Sequence, residues 1–145
     1  MSNATTATRQ QTSETSRTIV RKLAPVIVVD AIEPCLPFWV DRLQFKKTVE
    51  VPEGGALGFV ILERDGVEVM YQTRASLAHD IPALAEIRGH SAALFIEVTD
   101  VDGVERAMKG AEVVVPRRRT PYGMDEVGVR EPGGHVVIFA QPVAG

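Results

Sequence analysis

One cysteine, Cys35, stands in a chain of 145 residues. An internal disulfide is therefore impossible, and nothing asks for an oxidising compartment. Long apolar runs are missing too. The longest, such as 56–62 and 136–140, fall far short of the roughly 18 residues that a membrane-crossing helix needs. No basic start leads into an apolar stretch, so no secretory signal is expected and a cytoplasmic protein is. Neither charge dominates: 16 basic and 19 acidic residues give a net charge of −3. The basic footprint of a nucleic-acid or anionic-membrane binder is absent. There is no G-x-S-x-G, no P-loop and no G-x-G-x-x-G. Apolar material itself is not scarce. At 45% hydrophobic, the chain can fill the core of one ordinary domain.

The tail and the body differ in composition. Residues 1–22 form an N-terminal tail in which Ser or Thr takes 2, 5, 6, 8, 12, 13, 15, 16 and 18. Such a segment buries too little to offset its ordering entropy, and a flexible arm is expected. The body covers 23–143. Leu23 to Val29 is an apolar run of strand length. Asp30, Glu33 and Pro34 read as a helix start, and Leu36, Phe38, Trp39, Val40 and Leu43 follow at helical spacing to about Gln44. Strands are predicted over 45–51, 58–63 and 67–72, with turns at Pro52-Glu53-Gly54-Gly55 and Asp65-Gly66. A linker over 74–88 carries a short helix at 81–87. Beyond it the spacing predicts a strand at 92–98, a helix from Asp100 to Met108, a strand at 111–115, a loop at 117–124, and strands at 126–130 and 135–140.

Strand, helix and three strands thus occur twice, in modules 23–73 and 89–143. The last strands echo each other, Asp65-Gly66-Val67-Glu68-Val69-Met70-Tyr71-Gln72 against Gly133-Gly134-His135-Val136-Val137-Ile138-Phe139-Ala140. The expected fold is α+β: two βαβββ modules forming a curved mixed sheet around an apolar cavity, helices outside.

Four stretches carry a resemblance to a known family. They are Pro25-Val26 in the first strand, Phe38-Trp39-Val40-Asp41-Arg42-Leu43-Gln44-Phe45, Phe95-Ile96-Glu97-Val98-Thr99-Asp100-Val101-Asp102, and Arg130-Glu131-Pro132-Gly133-Gly134. In this order they resemble the vicinal oxygen chelate superfamily (glyoxalase, bleomycin resistance protein, extradiol dioxygenase), most closely its bleomycin-resistance-like members. Two departures stand out. Gln44 replaces the glycine that the family uses as a left-handed helix stop, at a cost of roughly 1 kcal/mol there unless the turn differs. Asp30 sits one residue early relative to the usual capping Asp, where Ala31 now stands.

The resemblance implies a metal held by one ligand from each of four strands. Those positions fall near Ala24 or Pro25, at Met70, at Ala93 and at Ile138, and none suits a hard or borderline divalent ion. No metal and no other cofactor is therefore expected. A slip of alignment brings in Glu68 or His135, but strand alternation turns His135 away from the cavity. His79 and His90 lie in or beside the linker without ligand spacing, and Cys35 reads as a buried structural thiol.

Alternation from Met70 and Ile138 predicts a cavity wall of Glu68, Met70 and Gln72, of Val136 and Ile138, and of Ala93, Phe95 and Glu97. Arg117 to Met124 is the most functional-looking loop, where Arg119 and Tyr122 could close over a ligand. The candidate ligand-binding residues are therefore Met70, Gln72, Phe95, Arg119, Tyr122 and Ile138; Glu68 and Glu97 are the candidates for a catalytic base. The implied function is binding or sequestering of a small, partly apolar molecule by a homodimer, as in relatives that bind a cationic drug at a dimer interface. A lyase or isomerase of the superfamily, and a scaffold whose cavity is filled, are the alternatives. Pairing of modules within one chain and across two both satisfy this reading.

Overall fold

The computed structural model describes residues 18, 19, 21–86, 88, 89 and 92–144. Most of the predicted tail, Ile87 at the end of the predicted linker helix, and His90 lie outside them. Pro25 has no N–H to give a ladder, and the first strand, β1 (Val26–Val29), starts after it. Leu23, expected inside that strand, is 90% exposed.

Two prolines reshape the first helix. Pro34 and Pro37 each remove a helical N–H. In place of the uniform helix expected from the spacing, a tight turn at Glu33–Cys35 runs into a wider-wound helix, α1 (Pro37–Arg42). Gln44 then takes a left-handed φ of 59°, and the Phe45 N–H returns to the Trp39 carbonyl at 2.8 Å. The left-handed helix stop that would suit a glycine is thus made by Gln44.

Strands β2 (Lys46–Glu53), β3 (Ala56–Arg64) and β4 (Val67–Thr73) complete a sheet of order β1-β4-β3-β2, in which β1 runs parallel to β4. The linker winds earlier than predicted. The Thr73 hydroxyl accepts from the Ser76 N–H and starts α2 (Arg74–Asp80), and Pro82 opens α3 (Pro82–Ala85). The second module repeats the first: β5 (Leu94–Glu97), α4 (Val101–Ala107), β6 (Glu112–Arg119), β7 (Met124–Arg130) and β8 (Val136–Pro142), ordered β5-β8-β7-β6. The predicted loop at 117–124 is a strand for its first half: β6 continues through all three arginines, and only 120–123 turn.

One face of each sheet meets a shared core. Val60, Leu62, Val69 and Tyr71 from the first sheet join Val127, Val129, Val137 and Phe139 from the second around Phe38, Trp39 and Phe45. Trp39 meets Phe45 edge to face at 5.0 Å between centroids. Burying a side chain of this size contributes roughly 1.5–3 kcal/mol. The other face of each sheet is left open by this packing.

Candidate functional site

Register fixes what the open faces carry. On the first sheet, Val26, Met70, Ile61 and Val49 form one cross-strand row, and Val28, Gln72, Phe59 and Val51 the next. On the second, Phe95, Ile138, Gly128 and Val115 form the equivalent row, followed by Glu97, Ala140, Glu126 and Arg118. Met70 and Ile138 thus occupy matching places, with Val26 and Phe95 as their parallel-strand neighbours. The four side chains are three hydrocarbons and a thioether. They do not fit a hard or borderline divalent metal. Among the described residues no group of three or more His, Cys, Asp and Glu comes together as a ligand set.

Of the sequence-predicted site residues, Met70, Phe95 and Ile138 lie on the open faces, partly or largely exposed. Gln72 shares that face but is committed. Its Nε2 donates to Ser76 Oγ at 3.0 Å and Asp80 Oδ2 at 3.2 Å, which tucks it against α2. Glu68 accepts from Lys22 Nζ at 2.6 and 2.9 Å, so the last tail residue neutralises it. Glu97 is exposed at the end of β5.

The arginine run divides by face. Arg117 turns toward α4. It grips Asp125 with Nε at 2.6 Å and Nη2 at 2.9 Å, and reaches Asp102 and Glu105 on the helix. The Asp125 hydrogen bonds hold the Arg117 guanidinium firmly charged, and Arg117 lowers the Asp125 carboxyl in return. Arg118 turns to the open face and donates to Glu126 Oε2 from Nε at 3.1 Å and Nη2 at 3.0 Å. Tyr122 joins it, its hydroxyl donating to Glu126 Oε1 at 2.8 Å. The turn that presents Tyr122 is closed by Thr120, whose backbone pairs with Met124 and whose hydroxyl accepts from the Met124 N–H. Arg119, the arginine expected to work with Tyr122, is exposed opposite Asp125 in register.

In the sequence, Asp125 and Glu126 stand side by side as an acidic pair. Alternation carried back one more residue would have separated them, since neighbours in a strand face opposite ways. Glu126 is 1% exposed, yet its register places it on the open face under Arg118 and Tyr122. A carboxylate is costly to bury unless paired, and here both oxygens are.

A second polar cluster lies inside, between the modules. Glu131 Oε2 accepts from the Tyr71 hydroxyl at 2.6 Å, and Oε1 accepts from the His135 backbone N–H at 2.6 Å with His135 Nδ1 at 2.9 Å. Trp39 Nε1 donates to the same Tyr71 oxygen at 2.7 Å. Burial pushes the Glu131 carboxyl up, but the bonds from His135 and Tyr71 outweigh it and hold the group at about 2. Cys35 is buried beside this charge; desolvation first and Glu131 second push its thiol up to about 12, so it is an inert packing group. His135, on the side away from Ile138, serves this core cluster.

The sequence matches the model of the Glyoxalase/Bleomycin resistance protein/Dioxygenase superfamily over residues 21–139. A comparison with the curated proteins returned no match. Among solved structures, a glyoxalase/bleomycin resistance protein/dioxygenase from Nocardioides superposes with a TM-score of 0.67 at 15% identity, covering 95% of each chain. A bleomycin-binding protein from Streptomyces verticillus, complexed with copper(II)-bleomycin, gives 0.56 at 24% identity, covering 88% of this chain and 99% of that one. A lactoylglutathione lyase from Agrobacterium tumefaciens gives 0.64 at 15% identity, over 86% and 95%. At these identities the structural likeness speaks for the fold.

Proposed function

Because the chain belongs to the Glyoxalase/Bleomycin resistance protein/Dioxygenase superfamily, we propose that it is a cytoplasmic small-molecule-binding member that works without a divalent metal. It holds a partly apolar molecule against its open sheet faces, and a second copy of the chain closes the site. The observation that carries this reading is the pair of central rows, Val26–Met70 and Phe95–Ile138. They offer apolar surface where metal-dependent relatives need lone pairs. Val26, Val49, Val51 and Phe95 are 40–53% exposed on those faces. A self-complementary contact between two copies would cover such a surface. Glu126 supplies one polar anchor, and its cover of Arg118 and Tyr122 can move aside for a cationic group. Binding fits better than proton abstraction at Glu68, which is held by Lys22, and at Glu126, which is held by two donors.

The test is a thermal-shift panel of aromatic and glycopeptide compounds, metal-free bleomycin included, with elemental analysis and light scattering on the same preparation. At about 100 times its Kd, a true ligand stabilises by roughly 2.7 kcal/mol. Met70→Asp with Ile138→Asp should abolish that shift and leave the fold intact, since neither side chain is in the core. A stoichiometric divalent metal, a monomer of 15.8 kDa, or no response to any compound would each overturn the proposal.

A further inference from the structure

One row on the open face of the second sheet is charged. Glu97, Ala140, Glu126 and Arg118 stand side by side across β5, β8, β7 and β6. Two carboxylates and one guanidinium leave this row with a net negative charge. The rows on either side add none: Phe95, Ile138, Gly128 and Val115 on one, Pro142 and Met124 on the other. Glu97 is exposed and has no hydrogen-bonding or ionic partner among the described residues.

The way Glu126 is covered leaves a better partner possible. A carboxylate has about four acceptor positions, two on each oxygen. Arg118 fills both on Oε2, with Nε at 3.1 Å and Nη2 at 3.0 Å, and the Tyr122 hydroxyl takes one on Oε1 at 2.8 Å. This is not the parallel fork in which a guanidinium meets both oxygens of a carboxylate. Such a fork needs one position on each oxygen. Oε1 has one open, and Oε2 gains its own when Arg118 leaves, while Tyr122 stays. The Arg118 side chain is 55% exposed and has no partner other than Glu126 among the described residues. Beside the carboxylate the face is apolar. A Cβ on Gly128 would meet Val115 at 2.9 Å and Ile138 at 3.4 Å, so these two side chains close over the glycine. Phe95, 53% exposed, continues that surface. Two residues along a strand, roughly 6.6 Å, separate it from Glu126, which is the reach of a short alkyl chain.

Resting on the open-face reading, we propose that the ligand carries an amidinium or guanidinium head, and that Arg118 is an internal stand-in for that head. The planar head forks onto both oxygens of Glu126, its apolar body lies on Ile138 and Phe95, and the released Arg118 side chain turns to water. The incoming charge neutralises the row, with Glu97 balancing the displaced arginine.

The probes are 4-phenylbutylguanidine, 4-phenylbutylamine and 4-phenylbutanol, titrated into the labelled full chain and followed by amide chemical shifts. The guanidine should bind about ten-fold more tightly than the amine, whose ammonium offers no planar fork. Glu126→Gln should weaken the guanidine by about ten-fold and leave the alcohol unchanged, which also shows that the variant is folded. Arg118→Ala should tighten the guanidine by about two- to five-fold, because a surface ion pair of ordinary strength no longer competes for the carboxylate. The gain should persist in about 1 M salt, where the mere loss of a positive charge is screened. Equal affinity for all three probes at Ile138 would overturn this inference and leave the open-face reading standing; binding of none would overturn both. Weaker binding of the guanidine by Arg118→Ala would make Arg118 a ligand contact and overturn the stand-in.

Discussion

Glu131 and Glu126 are each 1% exposed, but they are covered by different kinds of neighbour. Around Glu131 the donors belong to the core: Tyr71 is fully buried, and His135 follows on the same tight turn. Around Glu126 the donors stand in water: the Arg118 side chain is 55% exposed and Tyr122 is 64% exposed. Equal burial therefore does not mean equal commitment. A carboxylate caged by core groups can be freed only by unfolding. One covered by exposed side chains can be uncovered by rotamer changes.

The sharpest way to break this comparison is Glu131→Gln. With the carboxyl lowered from 4.5 to about 2, the ionised group contributes about 3 kcal/mol at neutral pH. The pKa is depressed, so this stability is present above about pH 4.5 and is lost as pH falls toward 2. Urea unfolding of the parent should weaken through that window. The variant should be less stable at pH 7 and flatter in acid, and parallel curves would refute the assignment. Tyr71→Phe comes next. It leaves Trp39 Nε1 without its acceptor and Glu131 without one donor, for a loss of about 2 kcal/mol by the same measurement. Arg118→Ala and Tyr122→Phe should cost least, about 1 kcal/mol or less each, because these two donors themselves stand at a wet surface. A larger loss in either would place Glu126 with Glu131 as a structural group.

Much of this architecture is legible in the residues themselves. The Asp65-Gly66 turn, the repeated strand order and the Met70–Ile138 correspondence all follow from local chemistry and alternation. The α1 winding is less so, because two prolines three residues apart change the pitch without changing the apolar spacing. The reach of β6 through Arg117, Arg118 and Arg119 was hidden because a charged run looks like a loop. Only pairing with β7 shows that successive arginines face opposite sides. Glu126 was obscured for the same reason. Its neighbour Asp125 is bound to Arg117 on the far side of the sheet, so adjacency in sequence suggested a pair where the fold makes two separate sites. The Tyr71–Glu131 bond joins residues 60 apart, and no local pattern announces it.

That bond also bears on how a duplicated chain ages. Tyr71 and Phe139 hold equivalent places in the repeat, yet only the phenol can reach across to Glu131. The halves are now lock and key rather than copies. Two second halves fused together would lack the donor, since Phe139 carries no hydroxyl. A rearranged gene that keeps one of each preserves the clasp whatever the order of its parts.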